Sequence, residues 1–184
     1  MTDVTEAEGH IRAWLQRFVV DLNLCPFARP LLGQASLRIA ICVETEQACL
    51  RRAFLEELDL LQRSTEAEIA TTLLVFPRAL AAFEDYLAFL AETEYLLVEA
   101  GLEGLVQLAS FHPLYRFEGE AEAAPGAYSN RAPYPLVHLL REDMLTRMLA
   151  DCIDPEQIPA RNIETLEAIG IAPLERRWQA LFTT

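Results

Sequence analysis

His112 stands directly after a nearly continuous apolar run, Leu105 to Phe111, and opens a long irregular stretch from Pro113 to Pro133. An imidazole at the end of a buried strand is placed to exchange protons with a ligand. In an open parallel sheet, ligands bind beyond the carboxyl ends of the strands. Glu44 and Thr45, and Phe76-Pro77-Arg78, would share that edge. The competing role for His112 is to satisfy backbone groups where a strand ends. In Asn130 through Glu142, Pro133 and Pro135 flank Tyr134 and read as the approach to a helix running to about Ala150. On that helix Val137, Arg141, Met144 and Met148 share one stripe. An arginine on a buried stripe needs a carboxylate, several carbonyls or a bound anion. The guanidinium fork suits carboxylate or phosphate, and Arg131 offers a second one. His138 and Glu142, four residues apart, would be neighbours on the same helix. With His112 they form a two-histidine, one-carboxylate set of metal ligands, although such a pair also serves simply to stabilise a helix. Cys25, fixed by Pro26 between Leu24 and Phe27, is a nucleophile if a histidine lies beside it. A helix C-terminus raises a thiol's pKa, and burial as a small core residue is the plainer fate.

These residues need a scaffold, and the apolar spacing supplies one. Thr5 to Glu8 reads as a capping box, after which Ile11, Trp14, Leu15, Phe18, Val19 and Leu22 mark one helical face up to Cys25 and Pro26. Leu37 to Val43 alternates with period two, as a half-exposed strand does. Leu50, Phe54, Leu58 and Leu61 mark a second helix, and Thr71 to Phe76 a buried strand ended by Pro77. A long helix from about Leu80 to Ala100 is capped by Gly101, and Leu105 to Phe111 is a third strand. Asp154-Pro155 starts a further helix that Gly170 stops, and Pro173 begins the last one. The alternation predicts a single α/β domain over residues 1–184. About three strands lie in a mostly parallel sheet packed by helices, the first at an edge and the others nearer the centre, with a helical C-terminus. An α+β arrangement with one strand reversed is the alternative.

Composition narrows the chemistry. Fifteen basic residues, every one an arginine, stand against 28 acidic residues, for a net charge of −13. That balance opposes attraction to nucleic acid or an anionic membrane. The absence of lysine excludes Schiff-base and P-loop chemistry. No basic start leads into an apolar run, and no apolar stretch approaches the roughly 20 residues that span a bilayer. Cys25, Cys42, Cys49 and Cys152 show no CxxC spacing. The expectation is a cytoplasmic protein with reduced thiols. No GxGxxG follows a strand, so a dinucleotide cofactor is not expected and no other cofactor is implied.

Three stretches taken together, Leu24-Cys25-Pro26-Phe27-Ala28, Phe111-His112-Pro113-Leu114-Tyr115-Arg116-Phe117 and Asn130 through Glu142, resemble the bacterial domain-of-unknown-function family 1415. The likeness covers nearly the whole chain in the same order, with Ala132 standing where that family usually carries serine. It implies a small soluble bacterial protein and no particular activity. It draws attention to Cys25, His112, Tyr115, Asn130, Arg131, Tyr134, His138, Arg141 and Glu142.

Two functional classes follow from the sequence. In the first, an enzyme acts on a small anionic metabolite by acid–base or thiol chemistry. His112, His138 and Cys25 are its catalytic groups, and Arg131, Arg141, Tyr115, Asn130, Tyr134 and Glu142 bind substrate. A metal-dependent form uses His112, His138 and Glu142 as ligands. In the second, a non-catalytic binding or accessory protein presents Phe111, Tyr115, Phe117, Tyr128 and Tyr134 as partner anchors.

Overall fold

A computed structural model describes residues 3–119, 124–150 and 152–183. The chain opens with α1 (Val4–Trp14), for which Asp3 is the N-cap; the Glu6 carboxylate returns to the Asp3 amide, so the cap lies two residues before the expected Thr5. The helix does not run on regularly to Cys25. Leu15–Val20 widens into a π-helix, and Asn23, at φ 53°, ends it. A short helix α2 (Ala28–Leu31) precedes β1 (Leu37–Ile41), α3 (Gln47–Arg63), β2 (Thr71–Val75), α4 (Phe83–Glu99) and β3 (Val106–Phe111). Gly101, at φ 69°, closes α4, where the left-handed backbone lets the Leu102 amide reach the Leu97 carbonyl. Part of the expected irregular loop is a 3-10 turn, Pro125–Ser129, and residues 120–123 of that loop lie outside the described residues. After it come β4 (Leu136–Arg141), α5 (Glu142–Ala150), a 3-10 turn at Pro155–Gln157, α6 (Ile158–Ile169) and α7 (Ile171–Gln179).

The α/β architecture with a helical C-terminus is as expected, but residues 136–150 are not one helix. Their first six residues form a strand that doubles the chain back between β2 and β3. The sheet order is therefore β1-β2-β4-β3, with β1 and β2 parallel and β4 antiparallel to both its neighbours. β1 lies at one edge as expected, whereas β3 forms the other edge because β4 occupies the centre. The run Leu136-Val137-His138-Leu139-Leu140 fits a strand buried on both faces as well as it fits a helix. Pairing decides between them: on β4 the backbone finds partners on both sides, along β2 and along β3.

Each sheet face carries its own core. On one face Ala40, Leu74, Phe76, Val137 and Leu139 pack against Leu50, Phe54, Leu58 and Leu61 of α3 and Phe83, Tyr86 and Phe89 of α4. These four α3 residues are the ones that the spacing singles out. On the other face Leu37, Leu73, Val75 and Leu136 meet Ile11, Trp14, Leu15 and Phe18 from the first helix, and Leu166 and Leu174 from α6 and α7. Strand alternation allocates side chains between the two faces, and this allocation separates the candidate residues.

Candidate functional site

The second face is not filled to the edge of the sheet. Between β1, β2, β4 and β3 below and the π-helical segment, α2, α5 and α6 above lies a cavity of about 570 Å³. The π-helical segment contributes Leu15, Val19 and Val20, α2 and its approach give Phe27, Ala28 and Leu31, and α5 gives Met144, Leu145 and Leu149. The sheet floor is made by Leu37, Leu73, Ala109, Phe111 and Leu140. Among the described residues no Asp, Glu or Arg lines the cavity, and its titratable side chains are Cys25 and His138. Two other hollows, beside Tyr128 and α7 and along the outer side of α1, are more open and are lined by only six residues each. A widened helical turn is frequent at functional sites, and here it forms part of the wall.

His138 occupies the floor at the centre of the sheet, paired in register with Leu73 on β2 and Ala109 on β3. Its Nε2 lies 2.6 Å from the Thr71 hydroxyl, which itself donates to the Leu139 carbonyl at 2.7 Å. A hydroxyl has one proton, so Nε2–H donates to Thr71 and Nδ1 is left unprotonated. Burial disfavours the imidazolium and pulls the His138 pKa down to about 4. The sign of the consequence is fixed. Below an ordinary histidine pKa of about 6.5 the unfolded chain takes a proton that the folded chain refuses, so stability falls as pH drops through the window from 6.5 to 4. The loss attributable to His138 is expected to reach about 3 kcal/mol by pH 4. Urea unfolding at a series of pH values checks this. The stability difference between wild type and His138→Leu should shift against wild type by that amount between pH 7 and 4, and a pH-independent difference would refute it.

Cys25 lines the same cavity. Burial pushes its thiol pKa up, partly opposed by the amides of Phe27 and Ala28, while nearby Cys152 adds to the rise. The thiol is thus protonated, and the two amides, not the end of the first helix, are the backbone dipoles it meets. Asn130 also lines the cavity, but its side chain ties the loop to β3: Nδ2 donates to the Ser110 carbonyl at 3.1 Å and Oδ1 accepts from Ser129 at 2.8 Å.

The remaining candidates lie elsewhere. His112 is fully buried on the α4 side of the sheet, with its ring 5.2 Å from Phe83 and 5.1 Å from Tyr86. Nδ1 accepts from the Leu114 amide at 3.0 Å, so the protonated Nε2 donates to the Leu80 carbonyl at 2.9 Å. Both nitrogens are engaged, and burial lowers its pKa. Arg141 points to the same side, where it donates to the carbonyls of Leu61, Ser64 and Ile69 at 2.6–3.0 Å. Of the three partners the sequence allows a buried arginine, the structure uses carbonyls. Arg131 lies over the Tyr128 ring at 4.7 Å and donates to the Tyr115 carbonyl. Tyr115 packs on Phe83 and Phe117, and the Tyr134 hydroxyl meets His10 Nδ1 at 2.7 Å. Phe111, Tyr115, Phe117, Tyr128 and Tyr134 are all buried or half-buried.

The expected helical pairing of His138 with Glu142, and the stripe of Val137, Arg141, Met144 and Met148, do not exist. His138 and Arg141 are on β4, whereas Glu142 begins α5 and its amide donates to Leu105. With His112 on the other face as well, the three proposed metal ligands are separated. No group of three His, Cys, Asp or Glu side chains suited to a metal exists among the described residues.

Sequence reasoning missed Thr71, which fixes the tautomer of His138, and Asn162, which lines the cavity and donates to the Leu24 carbonyl at 2.7 Å. Thr71 carried a signal, as a hydroxyl at the head of a buried strand; Asn162, on a polar helix, carried none.

Fold and cavity together define an α/β protein with a mixed four-stranded sheet and a deep apolar hollow against one face. The chain belongs to the family described as Protein of unknown function (DUF1415), which matches residues 6–176 of 184. Comparison with curated proteins and with solved structures gives no match. Among the described residues no helix is long and apolar enough to cross a membrane.

Proposed function

We propose that this protein binds a small apolar molecule in the cavity between the sheet and the π-helical segment. The observation that carries this reading is a volume of about 570 Å³ whose lining is predominantly aliphatic and aromatic, with no charged side chain among the described residues. A hollow of this size suits a drug-sized ligand, and apolar walls with few polar groups are the usual composition of such sites. The anionic substrate considered from the sequence fits less well: Arg131 and Arg141 face away from the cavity and hold main-chain carbonyls. Acid–base and thiol chemistry would have to rest on His138 and Cys25, the two candidate catalytic residues that share the space.

N-phenyl-1-naphthylamine, a neutral fluorophore that brightens in apolar surroundings, tests the proposal. Titration should show saturable binding of one probe per chain. Ala109→Phe projects a ring from β3 into the hollow beside His138, and Leu145→Trp does so from the opposite wall. Each should weaken binding about tenfold or more while leaving the fold intact, because the added volume enters empty space and not packed core. A wild-type protein that shows no saturable signal, or two filled variants that bind as wild type does, would overturn the reading.

A further inference from the structure

We infer that the ligand of this cavity is a neutral molecule whose apolar body carries one hydrogen-bond donor, a hydroxyl or an N–H, given to Nδ1 of His138. The inference rests on the cavity being a binding site and adds the chemistry of what it selects. The geometry runs outward from Thr71, a buried residue at the start of β2. The carbonyl of Leu139 is only an acceptor and takes the Thr71 proton at 2.7 Å. The 2.6 Å contact to His138 must then run from Nε2–H to the hydroxyl oxygen, and Nδ1 keeps a bare lone pair.

That lone pair meets no protein donor among the described residues. The fully enclosed side-chain polar atoms that lack a partner are Trp14 Nε1 and Thr72 Oγ1. His138 Nδ1 has no partner either but is not enclosed, and the space its half-buried ring borders is the cavity. Of the other polar side chains on the wall, Ser129 and Asn130 are engaged with each other and with Ser110, and Asn162 with the Leu24 carbonyl, while the unpartnered Trp14 Nε1–H is enclosed and not presented to the space. Gln107 is exposed to solvent. A ligand that fills the cavity takes this acceptor out of reach of water, and an acceptor then left unpaired is costly, so a ligand that donates to it gains over one that does not. A carboxylate or phosphate would bring acceptor oxygens toward the lone pair and would find no cation among the described residues of the wall. The low pKa of His138 keeps the acceptor uncharged under ordinary conditions.

Displacement of bound N-phenyl-1-naphthylamine at neutral pH by three probes of one shape provides the test. 2-Naphthol donates a hydrogen bond, 2-methoxynaphthalene only accepts, and 2-naphthoate is an anion. In wild type, 2-naphthol should compete at about tenfold lower concentration than 2-methoxynaphthalene, the worth of one hydrogen bond, and 2-naphthoate should be the weakest. His138→Leu should bind the first two equally. Thr71→Val, which removes the acceptor that fixes the tautomer, should reduce the preference, whereas Thr71→Ser should keep it. Equal competition by 2-naphthol and 2-methoxynaphthalene in wild type, with the fluorophore still bound, overturns this inference and leaves the cavity reading standing. A preference that survives both His138→Leu and Thr71→Val overturns it as well. No binding of the fluorophore at all removes the cavity reading and this inference together.

Discussion

Replacing His112 by alanine is expected to destabilise the protein by about 4 kcal/mol, through a lost buried ring and two orphaned backbone groups. The imidazole fills the space between Phe83 and Tyr86, and its nitrogens hold the Leu80 carbonyl and the Leu114 amide. Leu80 sits at φ 59°, a left-handed conformation that a leucine adopts only under constraint, and the His112 bond is one of the constraints. Alanine leaves the carbonyl and the amide unpaired and a cavity where the ring was. Glutamine, which can reach Leu80 but not Leu114, should recover part of the loss. Urea unfolding measures both. At a temperature where the variant remains folded, its affinity for N-phenyl-1-naphthylamine should stay within about twofold of wild type, since a change below roughly 0.4 kcal/mol is expected from a residue on the far face. The opposite pattern, full stability with lost binding, would return His112 to a functional role.

Exchanging Arg141 for methionine should cost about 3 kcal/mol, because hydrogen bonds from a charged donor are the stronger kind and three acceptors lose one. The last carbonyls of a helix have no partner within it. The Arg141 fork reaches the carbonyls of Leu61 and Ser64 at the end of α3 and of Ile69 just before β2, so one side chain clamps the whole α3–β2 turn to β4. Methionine keeps much of the apolar stem and removes the fork. Lysine restores the charge with a geometry that cannot span all three acceptors, and should recover less than half. Thermal unfolding reads the stability, and amide exchange should show protection lost first between residues 64 and 70. A variant as stable as wild type would mean that the guanidinium is not needed by the fold and is free for a ligand.

The two effects share a cause. Residues that look chemical in the sequence are, in these two cases, polar groups enlisted to satisfy main chain at the ends of elements. A histidine after a strand and an arginine on a buried stripe each had this reading beside the functional one, since a buried polar side chain must find a partner whatever its role. Which partner it finds depends on elements far away in the chain: Leu80 lies 32 residues from His112, and Leu61 80 residues from Arg141.

His138 shows the converse. Read as helical, it belonged with Glu142 and a metal; on β4 it faces an apolar floor beside Ala109 and Leu73, with Thr71 setting its tautomer. One misassigned element changed the company of His138, Arg141 and Glu142 at once, because a helix stacks residues four apart on adjacent turns about 6 Å from each other whereas a strand spreads them over about 13 Å, and Glu142 already belongs to α5. Cys25 and His138 do share a space, but Cys25 and His112 do not, and the sequence offered no means of choosing between those pairings.

What the sequence determined by itself was everything set by neighbours along the chain. The strand at Leu37 (though not its half-exposure, since Ala40 and Cys42 on its second face are buried as well), the α3 face of Leu50, Phe54, Leu58 and Leu61, the glycine closing α4 and the three motifs of the family all follow from local spacing. Tertiary structure decided the rest. Leu136–Arg141 became a strand because β2 and β3 both offered hydrogen-bond partners, and that insertion dealt the two candidate histidines to opposite faces. The cavity itself is a space left where a sheet, a π-helical segment and three helices fail to meet. Such a space belongs to no residue, so no local pattern encodes it; only the packing of distant segments creates it.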